Sequence, residues 1–100
     1  MKIYDAALVC RSKNAGPFQV TVDLMFSAPD KYHRVLESPK FTPEEIGKLY
    51  NVAPGRVAIK TFESILTIKV VLPRRQGSGS PLDTDVYGSQ QHFPLGDLEI

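Results

Sequence analysis

Hydrophobic and polar residues alternate along residues 18–26, which is the most regular pattern in the chain. The apolar members of this pattern are Phe18, Val20, Val22, Leu24 and Phe26. A period of two is typical of a strand with one buried face. Just upstream, the apolar run at residues 6–10 indicates a second strand covered on both faces, although a buried helical turn is compatible with so short a run. Residues 11–17 separate the two and contain Asn14, Gly16 and Pro17, so a β-hairpin is predicted with this segment as its exposed loop.

The period then changes and predicts two short helices. Residues 29–38 carry apolar side chains at helical spacing, with Ser27 as the predicted N-cap and an end before Pro39. The second helix, at residues 42–51, has Thr42 as N-cap, Pro43 in its first turn and Asn51 to close it. Its predicted buried stripe consists of Ile46, Leu49 and Tyr50.

Two further β-rich segments, residues 57–62 and 66–72, are separated by a predicted turn at Glu63-Ser64. Two hairpins on either side of two helices predict an α+β two-layer sandwich, in which a four-stranded, mainly antiparallel sheet carries both helices on one face. We expect a single domain over residues 1–100, with an α+β core at 1–74, a flexible loop at 75–82 and a tail at 83–100. The tail is predicted to dock back onto the core through Leu95, Leu98 and Ile100.

Composition narrows the functional classes. A chain of 100 residues with 42% hydrophobic and 23% charged residues is typical of one soluble globular domain. A formal net charge of +1 does not indicate the basic surface that binds nucleic-acid phosphates, so no nucleic-acid partner is expected. Cys10 is the single cysteine, which fits a reducing compartment. No apolar run has the length of a signal-peptide core or a membrane span, so we expect a cytoplasmic protein without a membrane partner.

Two motifs carry a resemblance to a known family. The first is Arg11-Ser12-Lys13-Asn14-Ala15-Gly16-Pro17 before the alternating strand; the second is Gly77-Ser78-Gly79-Ser80-Pro81 followed by Asp83-Thr84-Asp85-Val86-Tyr87-Gly88-Ser89-Gln90-Gln91-His92. Over essentially the whole chain, the sequence resembles the small stand-alone domain of unknown function that accompanies proteins of the acyclic-terpene-utilisation (AtuA) type. It is also similar to the ferredoxin-like C-terminal domain of those proteins.

The resemblance implies a ferredoxin-like fold and an assembly of two proteins in the catabolism of branched acids or acyl compounds. The implied partner is the larger AtuA-type protein. The positions that match the family motifs are Ser12-Lys13-Asn14 and Asp85-Val86-Tyr87-Gly88 with Gln90-Gln91.

Two loops are candidate anion sites. In the predicted hairpin loop, Arg11 and Lys13 lie near the backbone amides of residues 14–16, and this combination is able to bind a carboxylate or phosphate. The competing interpretation is a solvated turn in which Asn14 and Gly16 serve backbone geometry. The segment with Ser78 and Ser80 could likewise wrap an anion, but no helix follows it as in nucleotide sites, so a mobile loop is the favoured interpretation.

Oxygen and imidazole donors in the tail raise the question of a metal site. Asp83, Asp85 and His92 are donors of the right kind for a divalent cation, but they have neither zinc-type nor calcium-loop spacing, so no metal and no cofactor is predicted. The aspartates are expected to cap turns. The residues expected to hydrogen-bond a partner surface are Tyr87, Gln90 and Gln91.

Three functional hypotheses follow. The favoured one is a small accessory subunit that binds a larger AtuA-type partner and helps to form a site for an anion of the carboxylate or acyl-CoA type, in organic acid or terpenoid catabolism. An alternative is an autonomous lyase, hydratase or isomerase acting on an organic acid, with Lys13, Asp85 or His92 transferring protons. A structural homo-oligomer whose edge strands pair between copies is the third hypothesis.

Overall fold

A computed structural model describes residues 1–14, 19–73, 93–96 and 98–100, without the side chains of residues 14, 93 and 94. The strands are β1 (Val9–Asn14), β2 (Gln19–Met25), β3 (Ala58–Phe62) and β4 (Thr67–Pro73). The helices are α1 (Ile3–Ala6), α2 (Pro29–Leu36), α3 (Pro43–Tyr50) and α4 (Phe93–Gly96), with 3-10 turns at Pro54–Arg56 and Glu63–Ile65. The four strands form one antiparallel sheet in the order β1-β2-β4-β3. The predicted α+β fold is therefore confirmed, and it is compatible with a ferredoxin-like arrangement.

The core lies between one face of the sheet and the helices α2 and α3. The register pairs Val20 with Leu72, Val22 with Val70 and Leu24 with Ile68 across β2 and β4, and all six side chains are buried. The helices add fully buried side chains to the same cluster, namely Tyr32, Val35 and Ile46. The alternation in the two central strands thus places their aliphatic residues against the helical layer, as a period of two requires.

The first strand begins later and extends further than the sequence predicted. The prediction of a strand at residues 6–10 is wrong at its start, because Ala6 belongs to α1 and β1 begins at Val9. The prediction that residues 11–14 belong to an exposed loop is also wrong, because these residues pair with β2 up to the Asn14–Val20 position. A strand of an antiparallel sheet needs an apolar side only where it faces the core. Polar residues can therefore extend β1 through positions where the sequence suggested a loop. The hairpin itself is confirmed by this antiparallel pairing, and residues 15–18 lie outside the described residues.

The capping of α3 agrees with the prediction. The Thr42 side chain accepts a hydrogen bond from the backbone amide of Glu45 at 3.2 Å, which satisfies one of the free amides of the first turn. At the other end, Asn51 takes the left-handed conformation with φ 57° and closes the helix. The predicted buried stripe is wrong at Leu49, which is 39% exposed, because α3 turns Ile46 and Gly47 towards the core instead.

The predicted N-cap of α2 is wrong by one position. The cap is Ala28, which offers no side-chain hydrogen bond, and Ser27 precedes it. Pro29 occupies the first turn, where a missing amide hydrogen costs nothing and the fixed φ suits a helix. This helix therefore begins at a proline without a side-chain cap.

The C-terminal residues contact the N-terminal ones. The backbone amide of Ile3 donates to the carbonyl of Leu98 at 3.1 Å, and Lys2 and Glu99 form an isolated antiparallel bridge. Leu95 is fully buried, and its backbone amide donates to the Tyr50 hydroxyl at 3.3 Å. Residues 74–92 lie outside the described residues, so the division into core, flexible loop and tail stays a prediction.

Candidate functional site

The candidate site is the sheet face turned away from the helices, which we call the outer face. Residues directly opposite each other in an antiparallel pair point to the same face. Arg11 pairs with Asp23, Asp23 with Lys69, and Lys69 with Lys60. One residue from every strand thus joins a single line across the sheet. We call this line (Arg11, Asp23, Lys69 and Lys60) the charged row, and at strand spacing its ends lie about 14 Å apart.

Asp23 lies inside the charged row with a cation on either side. Its carboxylate Oδ2 is 3.7 Å from Arg11 Nε, and its Oδ1 is 3.9 Å from Lys69 Nζ. The side chain of Asp23 is only 4% exposed, whereas those of Arg11 and Lys69 are 59% and 34% exposed. Oδ1 is buried and has no hydrogen-bond partner among the residues that the structure describes. The carboxylate therefore holds two long cationic side chains across the strands while their charged ends reach water.

Two parallel rows flank the charged row. On one side the register aligns Lys13, Thr21, Val71 and Ala58. On the other side it aligns Val9, Met25, Thr67 and Phe62, which we call the apolar row. Phe62 is 42% exposed, and Lys69 Nζ lies 6.0 Å from the centroid of its ring, at the outer limit of a cation–π contact. The outer face therefore joins a cationic strip to a partly exposed hydrophobic one.

The charge of the outer face is unlike that of the whole chain. Among the described residues, four cations, Arg11, Lys13, Lys60 and Lys69, share this face with one carboxylate, Asp23. Lys13 and Lys60 are exposed, and neither forms an ion pair with any residue that the structure describes. Because the chain as a whole carries only +1, this local excess attracts an anionic group to one side of the molecule.

The half-buried thiol of Cys10 and phenol of Tyr50 do not favour nucleophilic chemistry. Cys10 lies on the core side of β1, and burial raises the pKa of its thiol to about 11. A thiol with this pKa is almost entirely protonated near neutral pH and is a poor nucleophile. Burial is also the largest cause of the raised pKa of Tyr50, with smaller contributions from Cys10 and Tyr4, opposed by the Leu95 hydrogen bond. Both groups are therefore neutral under ordinary conditions.

Side chains that bind metals are not clustered in the described part of the chain. Residues 1–14, 19–73, 93–96 and 98–100 contain no group of three His, Cys, Asp or Glu side chains that could hold a metal ion. Within the same ranges, no helix is long and apolar enough to cross a membrane.

The structure separates the predicted binding residues of the first strand. Arg11 and Lys13 lie on the outer face, whereas Ser12 points to the core side and is 7% exposed. Ser12 therefore does not share a surface with its two cationic neighbours. The backbone of Asn14 ends β1, and its side chain is outside the description. The remaining candidates, Gly16, Ser78, Ser80, Asp83, Asp85, Tyr87, Gln90, Gln91 and His92, lie outside the described residues and stay predictions.

Three members of the charged row were missed by sequence reasoning. Asp23, Lys60 and Lys69 are the polar positions of segments that alternate or are β-rich, so their outward direction could have been read from the pattern. What no local pattern shows is that they align in one row with Arg11. That alignment depends on the register between strands distant in sequence.

A comparison with known protein families matches nearly the whole chain to one family. The family described as a domain of unknown function (DUF4387) matches residues 3–99. Neither the curated proteins nor the solved structures contain a match.

Proposed function

We propose that this chain, which belongs to the family described as a domain of unknown function (DUF4387), is an accessory subunit that binds a larger protein through the outer face of its sheet. The observation that supports the proposal is the charged row, in which exposed cations stand on a rigid sheet beside a hydrophobic strip. Such a face attracts an anionic group of a partner or of a ligand held by the partner.

The shape and chemistry of the described residues favour binding over catalysis. Small-molecule sites are usually concave, whereas the charged row lies on the broad surface of a sheet. The raised pKa values of Cys10 and Tyr50 keep these groups protonated, so neither offers an activated nucleophile or base. A role in recognition requires no such activation.

The proposed partner is a larger AtuA-type protein, because the sequence resembles the small domain that accompanies proteins of that type. In this assembly the chain contributes cations to a site for a carboxylate or acyl-CoA type anion, in organic acid or terpenoid catabolism. Arg11 and Lys13, which belong to the motif that carries the resemblance, lie on the outer face. The proposal thus assigns the two cations of the first motif and the charged row to one surface.

Co-expression with a larger AtuA-type protein tests this proposal. The expected result is a complex that remains intact during size-exclusion chromatography, and a partner activity that falls when this chain is left out. Partner alone and chain alone serve as the controls. The absence of a complex, together with an unchanged partner activity, would reject the proposal.

A structural homo-oligomer is the second candidate, because β1 and β3 are the edge strands of the described sheet. Pairing of β3 with a second copy about its midpoint would oppose Lys60 to Lys60, and like charges directly opposite are destabilising. A homo-oligomer would therefore use β1. Light scattering of the purified chain distinguishes this assembly from a monomer that awaits a different partner.

A further inference from the structure

We infer that the partner contributes a short acidic segment with an apolar anchor, and that this segment lies across the strands over the charged row and the apolar row. The inference rests on the proposed function and specifies which surface and which partner chemistry form the interface.

Charge is the first step of the argument. Arg11 and Lys60 stand at opposite ends of the charged row, about 14 Å apart, and Lys69 lies between them. The carboxylate of Asp23 is already shared between Arg11 and Lys69, whereas Lys60 has no ion pair within the described ranges. The excess positive charge is therefore spread along the row, and its complement is a segment with more than one carboxylate.

Hydrophobic surface is the second step. The apolar row lies about 7 Å from the charged row along the strands, because the two rows are two positions apart. Its members Val9 and Met25 are half-buried, and Phe62 is 42% exposed. Aromatic residues and methionine are enriched in interface cores, so this strip suits an aliphatic or aromatic anchor on the partner.

Size is the third step. Four strands and three rows cover about 14 Å by 14 Å, or about 200 Å², whereas a standard interface buries about 800 Å² on each partner. This area is about a quarter of that value, so the rows accommodate one segment of the partner, and a complex that survives chromatography needs further contacts beyond them. A span of 14 Å corresponds to about four extended residues or two to three turns of a helix. The occupant is therefore a short segment of the partner rather than its folded surface.

The test measures the Kd of the complex that the partner forms with each of four chains. These are the parent, Lys60→Glu, Phe62→Ala and the control Lys48→Glu. Lys48 is 76% exposed on α3, in the other layer of the sandwich, so its reversal changes net charge equally without touching the outer face. We expect Lys60→Glu and Phe62→Ala each to raise Kd by about 10-fold or more, and Lys48→Glu to change it less than about 2-fold. Because Lys60 and Phe62 are exposed, circular dichroism is expected to show folded variants.

A milder variant and a rescue make the result specific. Lys60→Gln removes the charge without reversing it, so a smaller rise in Kd of about 3-fold is expected. Hydrogen exchange then locates the partner segment that becomes protected. Replacing one acidic residue of that segment by lysine should restore the affinity for Lys60→Glu, because the charges of the pair are exchanged.

Each other outcome overturns the inference and says whether the proposed function survives. A complex that tolerates Lys60→Glu and Phe62→Ala as well as Lys48→Glu overturns the inference and leaves the accessory role intact. A protected partner segment without acidic residues does the same. A dimer of this chain that Lys60→Glu dissociates identifies a second copy as the occupant and overturns it too. Failure to form any complex with the partner overturns both.

Discussion

Replacement of Asp23 by valine tests the physical account of the outer face. Burying Oδ1 without a hydrogen bond costs about 1–3 kcal/mol. The two ion pairs return only about 0.2–1 kcal/mol each, because the side chains of Arg11 and Lys69 are 59% and 34% exposed and their contacts with Asp23 are 3.7 and 3.9 Å long. The costs and gains nearly cancel. Valine also suits the middle of a strand, so we expect Asp23→Val to change the free energy of unfolding by less than about 1 kcal/mol.

The neighbouring residue supplies the control. Val22 is fully buried and points to the core, so Val22→Ala should lower the free energy of unfolding by about 2 kcal/mol through lost burial and the cavity it leaves. Urea denaturation followed by circular dichroism measures both variants, with equal m-values as the sign of an unchanged unfolding reaction. A loss above about 3 kcal/mol for Asp23→Val would refute the reasoning. It would mean that Arg11 and Lys69 behave as buried cations that need their counter-charge.

Three further predictions concern the scaffold. Gly47→Ala should lower the free energy of unfolding by about 1–3 kcal/mol, because the new methyl group would lie 2.6 Å from a backbone carbonyl oxygen. The control Gly55→Ala should change it by less than about 1 kcal/mol, because no atom of the described residues lies within 4 Å of its new methyl group, and equal losses for the two variants would contradict this account. The thiol of Cys10 has a pKa of about 11 in the folded chain against 9.0 in the unfolded one, so at pH 8 it should react with iodoacetamide about 100-fold more slowly when folded, as measured by mass spectrometry. The contribution of this pKa difference to the free energy of unfolding should be full below pH 9 and should disappear as the pH rises towards 11. Tyr50→Phe should cost about 1 kcal/mol and speed hydrogen exchange at the Leu95 amide, since it removes the 3.3 Å hydrogen bond; an unchanged exchange rate would contradict that role.

Features set by nearby residues could be predicted from the sequence. The central strands were predicted because alternation of aliphatic and polar residues is a local signal that also fixes the buried face. The ends of α3 were predicted because Thr42 and Asn51 act on backbone groups only a few residues away. The end of β1 was missed because an edge strand with Arg11 and Lys13 outside and Ser12 inside lacks the apolar run that marks a central strand.

The candidate site could not be predicted because it depends on register. The charged row joins positions 11, 23, 60 and 69, and its middle link is the pairing of β2 with β4, which are far apart in sequence. A slip of one residue in that pairing would turn the side chains of one strand to the opposite face and separate Asp23 from Lys69. The turn chemistry of a hairpin constrains only its own two strands. The packing of the aliphatic faces against the helices sets the register between the two hairpins.

The distribution of charge explains why net charge was a poor guide to this surface. Helices α2 and α3 contain as many acidic as basic residues: Asp30, Glu44 and Glu45 against Lys31, Arg34 and Lys48. These two helices are therefore nearly neutral, whereas the described part of the outer face carries four cations around one carboxylate. Salt screens charges separated by more than about 8 Å at physiological ionic strength. An approaching partner therefore interacts with the charges of the nearest face and not with the net charge of the whole chain. A chain of +1 can thus direct an acidic segment to one side of its sheet.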